Sequence, residues 1–247
     1  MAATVATYVF TSGSSVGQSP DGQRPEAGVR AGRYLSGRKG GESVAAGAGR
    51  AGPAETARLP VGKTLAEYDF GQVPELNAAQ VRQLCETTDW VDSGENVLLF
   101  GASGLGKSHL AAALVDGGVS QGYRVRFYSA GELPQELRKT RSLLRLNKVL
   151  LKLARYRVIV IDDLGYVKRD NAETGVLFEL IAHRYERGSL IITSNHPFST
   201  WGNIFVEETM AVAAADRLIH RGYIFEVTGE SYRKKMSKAA IQQSAKQ

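Results

Sequence analysis

Between an apolar run, Asn96-Val-Leu-Leu-Phe100, and an Ala/Leu-rich stretch over Leu105–Val115, the chain reads Gly101-Ala102-Ser103-Gly104-Leu105-Gly106-Lys107-Ser108. The run satisfies G-x-x-x-x-G-K-[ST], with strand character before it and helix character after it. Nothing else in the chain constrains its fold as tightly. Gly101, Gly104 and Gly106 let the backbone curl so that consecutive N–H groups face an anion, and the following helix adds the positive end of its dipole. Lys107 can reach phosphate oxygens as a point charge. Ser108 offers a hydroxyl to Mg²⁺, which takes hard oxygen ligands and keeps several waters. Gly101 to Ser108, with the adjoining His109, is therefore the expected nucleotide loop, and ATP with Mg²⁺ the expected ligand.

The rest of the chain repeats the same alternation. Arg124–Tyr128 alternates as a strand does, while Val158–Ile161 and Leu190–Thr193 are continuous β-branched runs of the kind covered on both faces. Helical patterns lie between them, at Leu133–Ala154 and Glu173–Tyr185, the latter with Val176, Leu177, Leu180 and Ile181 on one side. Strands alternating with helices predict an α/β fold, a parallel sheet with helices on both faces. Val158–Ile161 ends in Asp162-Asp163, which a parallel sheet presents at the carboxyl ends of its strands, beside the glycine-rich loop. Asp162 is placed to hold Mg²⁺ through a water and Asp163 to orient or deprotonate an attacking water. Leu190–Thr193 runs into Ser194-Asn195. That amide can bond both the water and the γ-phosphate, or Asn195 can equally be a turn-former before Pro197.

Residues 1–57 lack apolar periodicity and are rich in Gly, Ala, Ser and Arg. Such a segment cannot bury enough apolar surface to offset its ordering entropy, so it reads as disordered. The expected division is a low-complexity segment at 1–57, an ATPase domain at 58–236 and a polar tail at 237–247. Cys85 is the single cysteine, which excludes an internal disulfide, fits a reducing compartment and reads as an inert, partly buried thiol. No apolar run approaches the roughly 20 residues of a membrane helix, and no secretory signal is visible, so the expected location is the cytoplasm.

Net charge is +6 with a pI near 9.4. Much of the excess crowds one stretch, in which Arg138, Arg141, Arg145, Lys148 and Lys152 follow three- and four-residue steps and would share one face of a long helix. Leu143, Leu146, Leu150 and Leu153 would form its apolar face. The basic face suits salt-sensitive, sequence-independent tracking of a DNA backbone; a solvated helix face is the alternative.

Taken together these residues resemble the AAA+ ATPases, and within them the insertion-sequence ATP-binding proteins, the IstB-like transposition helpers related to DnaC helicase loaders. The stretches that carry the resemblance are Gly101–Ala111, Ile159–Tyr166, Glu173–Ile181, Arg184–Arg187, Ile191–Asn195, Trp201-Gly202, Asp216–His220 and Glu230–Arg233. It runs from about Leu59 to Arg233. The resemblance implies that Lys107 and Ser108 belong to Walker A, Asp162 and Asp163 to Walker B, and that Asn195 is sensor 1. It further implies that Arg217 is an arginine finger reaching the γ-phosphate of a neighbouring subunit, with Arg233 a weaker candidate for a second phosphate sensor. Tyr68 or Phe70 would touch adenine, with core packing as the equal alternative. The implied activity is a slow, DNA-stimulated ATPase that assembles as a homo-oligomer on duplex DNA and serves the transposase of its element. A helicase loader on the same fold is the runner-up, and a small-molecule kinase the alternative from another class. Two features depart from the family pattern. Most AAA+ enzymes carry Glu where this chain has Asp163, which predicts slow intrinsic hydrolysis. Residues 1–57 also do not resemble the helical basic region that usually opens its relatives.

Overall fold

The computed structural model describes residues 58–129, 131–142, 145–165, 170–197, 200–201, 204–229 and 231–232. Readings made for residues 1–57, for the tail and for Arg233 lie outside them. Five strands build one sheet: β1 (Asn96–Phe100), β2 (Val125–Ser129), β3 (Val158–Asp162), β4 (Ser189–Ser194) and β5 (Gly222–Glu226). Their spatial order is β2-β3-β4-β1-β5, and every pairing is parallel. The expected α/β parallel-sheet fold is the fold observed.

Side chains alternate across each strand, and the core divides accordingly. Val97, Leu99, Val158, Val160 and Ile191 face one cluster, where α1 (Ala78–Glu86), α2 (Asp89–Asp92) and α3 (Lys107–Ser120) pack. Leu98, Phe100, Ile159, Ile161, Leu190 and Ile192 face the other, under α4 (Glu132–Ser142), α5 (Leu146–Leu153), α6 (Asn171–Arg184) and α7 (Glu208–Ile219). Handedness explains the split. The step from β1 to β2 runs one way across the sheet and every later step runs the other, so right-handed crossovers put α3 on one face and α4 to α7 on the opposite one. The connections leaving the neighbours β1 and β4 therefore diverge, which opens a crevice at their carboxyl ends.

Asn96 pins the opposite edge of the sheet. Its N–H donates to Arg221 O at 2.8 Å, its Nδ2 donates to Leu218 O at 3.2 Å, and its Oδ1 accepts from Leu190 N at 2.9 Å.

Two sequence expectations change. The stretch Leu133–Ala154 is two helices rather than one: Arg145 N donates to Thr140 O at 2.8 Å, the six-to-one bond of a helix stop, and Arg145 then stands as N-cap residue of α5. The basic side chains consequently share no continuous helical face. The helix after the glycine-rich loop opens at Lys107, not Leu105, because Gly106 is left-handed at φ 81°. The strand β5 and the helices α1, α2 and α7 carry no expectation from the sequence.

Candidate nucleotide-binding site

β1 is buried along its whole length and ends at the crevice. Gly101 follows at φ 151°, where a Cβ would strike Val227 O, so only glycine lets the chain leaving β5 close on the loop. That closure is made by Val227 N donating to Phe100 O at 2.6 Å and Tyr232 N donating to Gly104 O at 2.9 Å. At Gly106 a Cβ would stand 3.0 Å from the Tyr68 ring. No side chain caps α3, so its first N–H groups point to the loop's concavity. Lys107 is 5% exposed and folds over the loop, donating from Nζ to Gly101 O at 2.7 Å and Ala102 O at 2.9 Å. Ser108 and His109 follow in the first turn of α3, both half-buried.

The acidic pair emerges two strands away. Asp162 ends β3, and Asp163 takes a left-handed φ of 64°, a conformation that costs a non-glycine residue on the order of 1 kcal/mol and needs support from its surroundings. Thr193 supplies it. Its Oγ1 accepts from Asp163 N at 2.8 Å and donates to Asp162 Oδ1 at 2.7 Å. Between the two elements, Gly101 N donates to Ser194 O at 3.2 Å, tying the loop to β4. Asn195 follows directly, and its Oδ1 is buried with no hydrogen-bond partner among the described residues. The loop, the carboxylates and the amide thus converge on the crevice between β1 and β4. Sequence reasoning missed Thr193; the available signal was a polar residue closing an apolar strand run.

His109 and Tyr68 serve the loop from behind. His109 Nε2 lies 2.8 Å from Thr64 O, and its ring meets Tyr68 edge-on at 5.3 Å. Tyr68 is buried against Gly106 and Leu105 O, and burial, helped by Asp69, pushes its hydroxyl up to about 12. Of the two readings offered for Tyr68, packing is the one its surroundings fit. Phe70 is half-buried, edge-on to Tyr68 at 4.9 Å, with the Arg82 guanidinium 4.9 Å above its ring. Cys85 is half-buried beside Ala113 O, and burial, then Glu86 and Asp116, push its thiol up to about 12. A thiol so raised fits the unreactive role expected of it.

Arg217 lies in the last turn of α7, beside Leu218, whose carbonyl holds Asn96 at the amino edge of the sheet. Its own chain's loop opens at the opposite edge. The guanidinium donates to Ala213 O at 2.7 Å and lies 5.2 Å from the Phe178 ring. It makes no ion pair among the described residues. Of the basic stretch, Arg138 pairs with Asp170 at 2.8 Å and Glu173 at 3.9 Å, docking α4 on the first turn of α6. Arg145, Lys148 and Lys152 are exposed on α5 or at its start, and the Arg141 side chain lies outside the described set. Leu146, Leu150 and Leu153 form the buried face of α5; Leu143 lies outside the described residues. No helix among the described residues is long and apolar enough to cross a membrane.

Comparison with known proteins shows the family. The family model described as IstB-like ATP binding protein matches residues 51–240. A relative in Sinorhizobium fredii, named as an insertion-sequence ATP-binding protein, is 45% identical over 74% of this chain and 62% of its own length. The chain thus spans less than two thirds of that relative. One from Pseudomonas aeruginosa, named for insertion sequence IS21, is 39% identical over 74% of this chain and 69% of its own. Among solved structures, AMPPCP-bound DnaA from Aquifex aeolicus aligns with a TM-score of 0.57 at 19% identity, over 75% of this chain and 56% of that one. The DnaC helicase loader aligns at 0.51 and 18%, over 61% of this chain and 88% of that one. At these identities the structural likeness speaks to the fold alone.

Proposed function

The chain belongs to the family of IstB-like ATP-binding proteins, and from that membership we propose an ATP-driven helper of insertion-sequence transposition. In this reading it hydrolyses ATP with Mg²⁺, assembles as a homo-oligomer on duplex DNA and regulates a transposase. The observation that carries it is the convergence of Gly101–Ser108, Asp162-Asp163 and Asn195 on one crevice. The residues fit the ligand. Loop and helix N–H groups offer a cradle for phosphates, and the buried Asn195 Oδ1, without a partner among the described residues, takes a donor that a water on the γ-phosphate would supply. No group of three or more His, Cys, Asp or Glu among the described residues could hold a metal alone. This suits Mg²⁺, which relies on phosphates and water with one or two protein oxygens; here those are Ser108 and Asp162.

A bound Mg²⁺ would neutralise charge developing on the β and γ oxygens. Lys107 binds the same oxygens, leaving its loop carbonyls to do so. Asp163 accepts or directs the proton of the attacking water, and Asn195 orients that water. Arg217, on the far edge of the sheet, serves a neighbour's γ-phosphate rather than its own. A trans arginine of this kind is worth roughly 10³–10⁵ in rate. Arg145, Lys148 and Lys152, exposed and without an ion pair among the described residues, are the candidates for a phosphate backbone.

The test is steady-state ATP hydrolysis with and without duplex DNA, on the unsubstituted protein, Lys107→Ala and Arg217→Ala. Expected are lost nucleotide binding in Lys107→Ala, and DNA stimulation that disappears in Arg217→Ala. Turnover indifferent to DNA and to Arg217→Ala would return phosphotransfer to a small molecule to the front.

A further inference from the structure

Thr193 is fully buried in β4, preceded by Leu190, Ile191 and Ile192. It comes one residue after Ile192, whose register partner is Ile161, so it stands beside Asp162. A hydroxyl in such surroundings requires partners, and this one has two on the next strand's exit. It donates its only proton to Asp162 Oδ1 at 2.7 Å and accepts from Asp163 N at 2.8 Å. The Thr193 carbonyl accepts from Leu164 N at 2.8 Å. One residue of β4 thus holds the last residue of β3 and the first two of the turn that leaves it, including Asp163 in its left-handed conformation.

We propose that Thr193 is a positioning residue for both carboxylates, an inference that rests on the nucleotide-site reading above. Its hydroxyl occupies Oδ1 of Asp162 and so orients the other oxygen for the water shell of a metal. Its acceptor lone pair holds the Asp163 backbone, which sets where that carboxylate can point. Asn195 lies two residues on along the same strand exit, so the amide and the acidic pair leave neighbouring strand ends. Groups that orient a metal-binding or catalytic residue are commonly as consequential as the residue itself.

Thr193→Val keeps the shape and removes the hydroxyl; Thr193→Ser keeps the hydroxyl. The full chain is titrated with a fluorescent ATP analogue in Mg²⁺ and in EDTA, steady-state hydrolysis is measured, and exchange of the Asp163 amide is followed by NMR. For Thr193→Val the expected result is unchanged affinity in EDTA, a fall of roughly 10–100-fold in the Mg²⁺-dependent gain or in kcat, and faster amide exchange, with Thr193→Ser within about threefold of the unsubstituted protein. If Thr193→Val does not fold, Thr193→Cys, with similar volume and a weakly bonding thiol, is expected to show the same loss. Unchanged Mg²⁺ dependence and kcat in the hydroxyl-free variant overturn the inference, as does a Thr193→Ser protein that loses as much. A lack of Mg²⁺-dependent binding in the unsubstituted protein overturns the nucleotide-site reading itself, and this inference with it.

Discussion

Asp163 combines a short carboxylate with a left-handed backbone, its N–H held by Thr193. A glutamate at this position would extend the carboxylate by one methylene toward the crevice while keeping the backbone bond, because that bond uses only the amide. If reach limits the intrinsic rate, Asp163→Glu raises kcat roughly several-fold, well below the 10²–10⁴-fold that a well-placed base contributes in full, with nucleotide affinity unchanged. Single-turnover hydrolysis checks this, and a variant slower than the parent would show that the turn is tuned to aspartate. Lys107 illustrates a different economy: its ammonium is already desolvated and bonded to loop carbonyls. Binding a phosphate exchanges those bonds for stronger charge-assisted ones.

Among the elements, the junction of α5, β3 and β4 depends on Arg184 at the end of α6. Its guanidinium is buried and donates to four carbonyls, Leu153 O at 3.3 Å, Tyr156 O at 3.0 Å, Arg157 O at 2.8 Å and Ser189 O at 3.0 Å. Burial, then Arg157, brings its pKa down to about 9, so the charge is held at a cost that the carbonyl bonds offset. Gly188 is required beside it, since a Cβ there would run into the guanidinium. Arg184→Leu strands those acceptors and is expected to destabilise by roughly 2–4 kcal/mol, which lowers Tm by about 5–15 °C in a domain of this size. Thermal denaturation reads it. A melting temperature equal to the parent's would mean that water replaces the guanidinium and that the brace is dispensable. α5 itself is set by this junction, and with it the direction in which Lys148 and Lys152 face.

For the molecule as a whole, the sheet keeps the nucleotide crevice and Arg217 on opposite edges, so a complete site under the proposed function needs a second copy. DNA contact belongs to the same scale. Because α4 and α5 are separate, and Arg138 is engaged by Asp170 and Glu173, the residues of this basic stretch that are exposed and make no ion pair among the described residues, Arg145, Lys148 and Lys152, lie on α5 or at its start rather than along one long helix. Replacing Lys148 and Lys152 together by alanine is expected to weaken duplex DNA binding regardless of sequence, and to reduce the slope of log K against log salt by about 2. Fluorescence anisotropy across a salt series measures this; an unchanged slope would move the DNA surface elsewhere.

The sequence by itself determined the glycine-rich loop between strand and helix, the acidic pair at the end of β3, the strands β1, β3 and β4 and the parallel fold. In each case the chemistry is local: glycines that permit a left-handed turn, a Lys-Ser pair at a helix start, carboxylates closing an apolar run. Only the tertiary structure decided what depends on residues distant in sequence. It broke the basic helix at Thr140–Arg145, because a helix stop is made by backbone bonds that periodicity does not encode. It set Tyr68 behind Gly106 and closed the loop with Val227 and Tyr232. It brought Thr193 against Asp162 and Asp163, since the register of two parallel strands, about thirty residues apart in the chain, is settled by how their shared core packs.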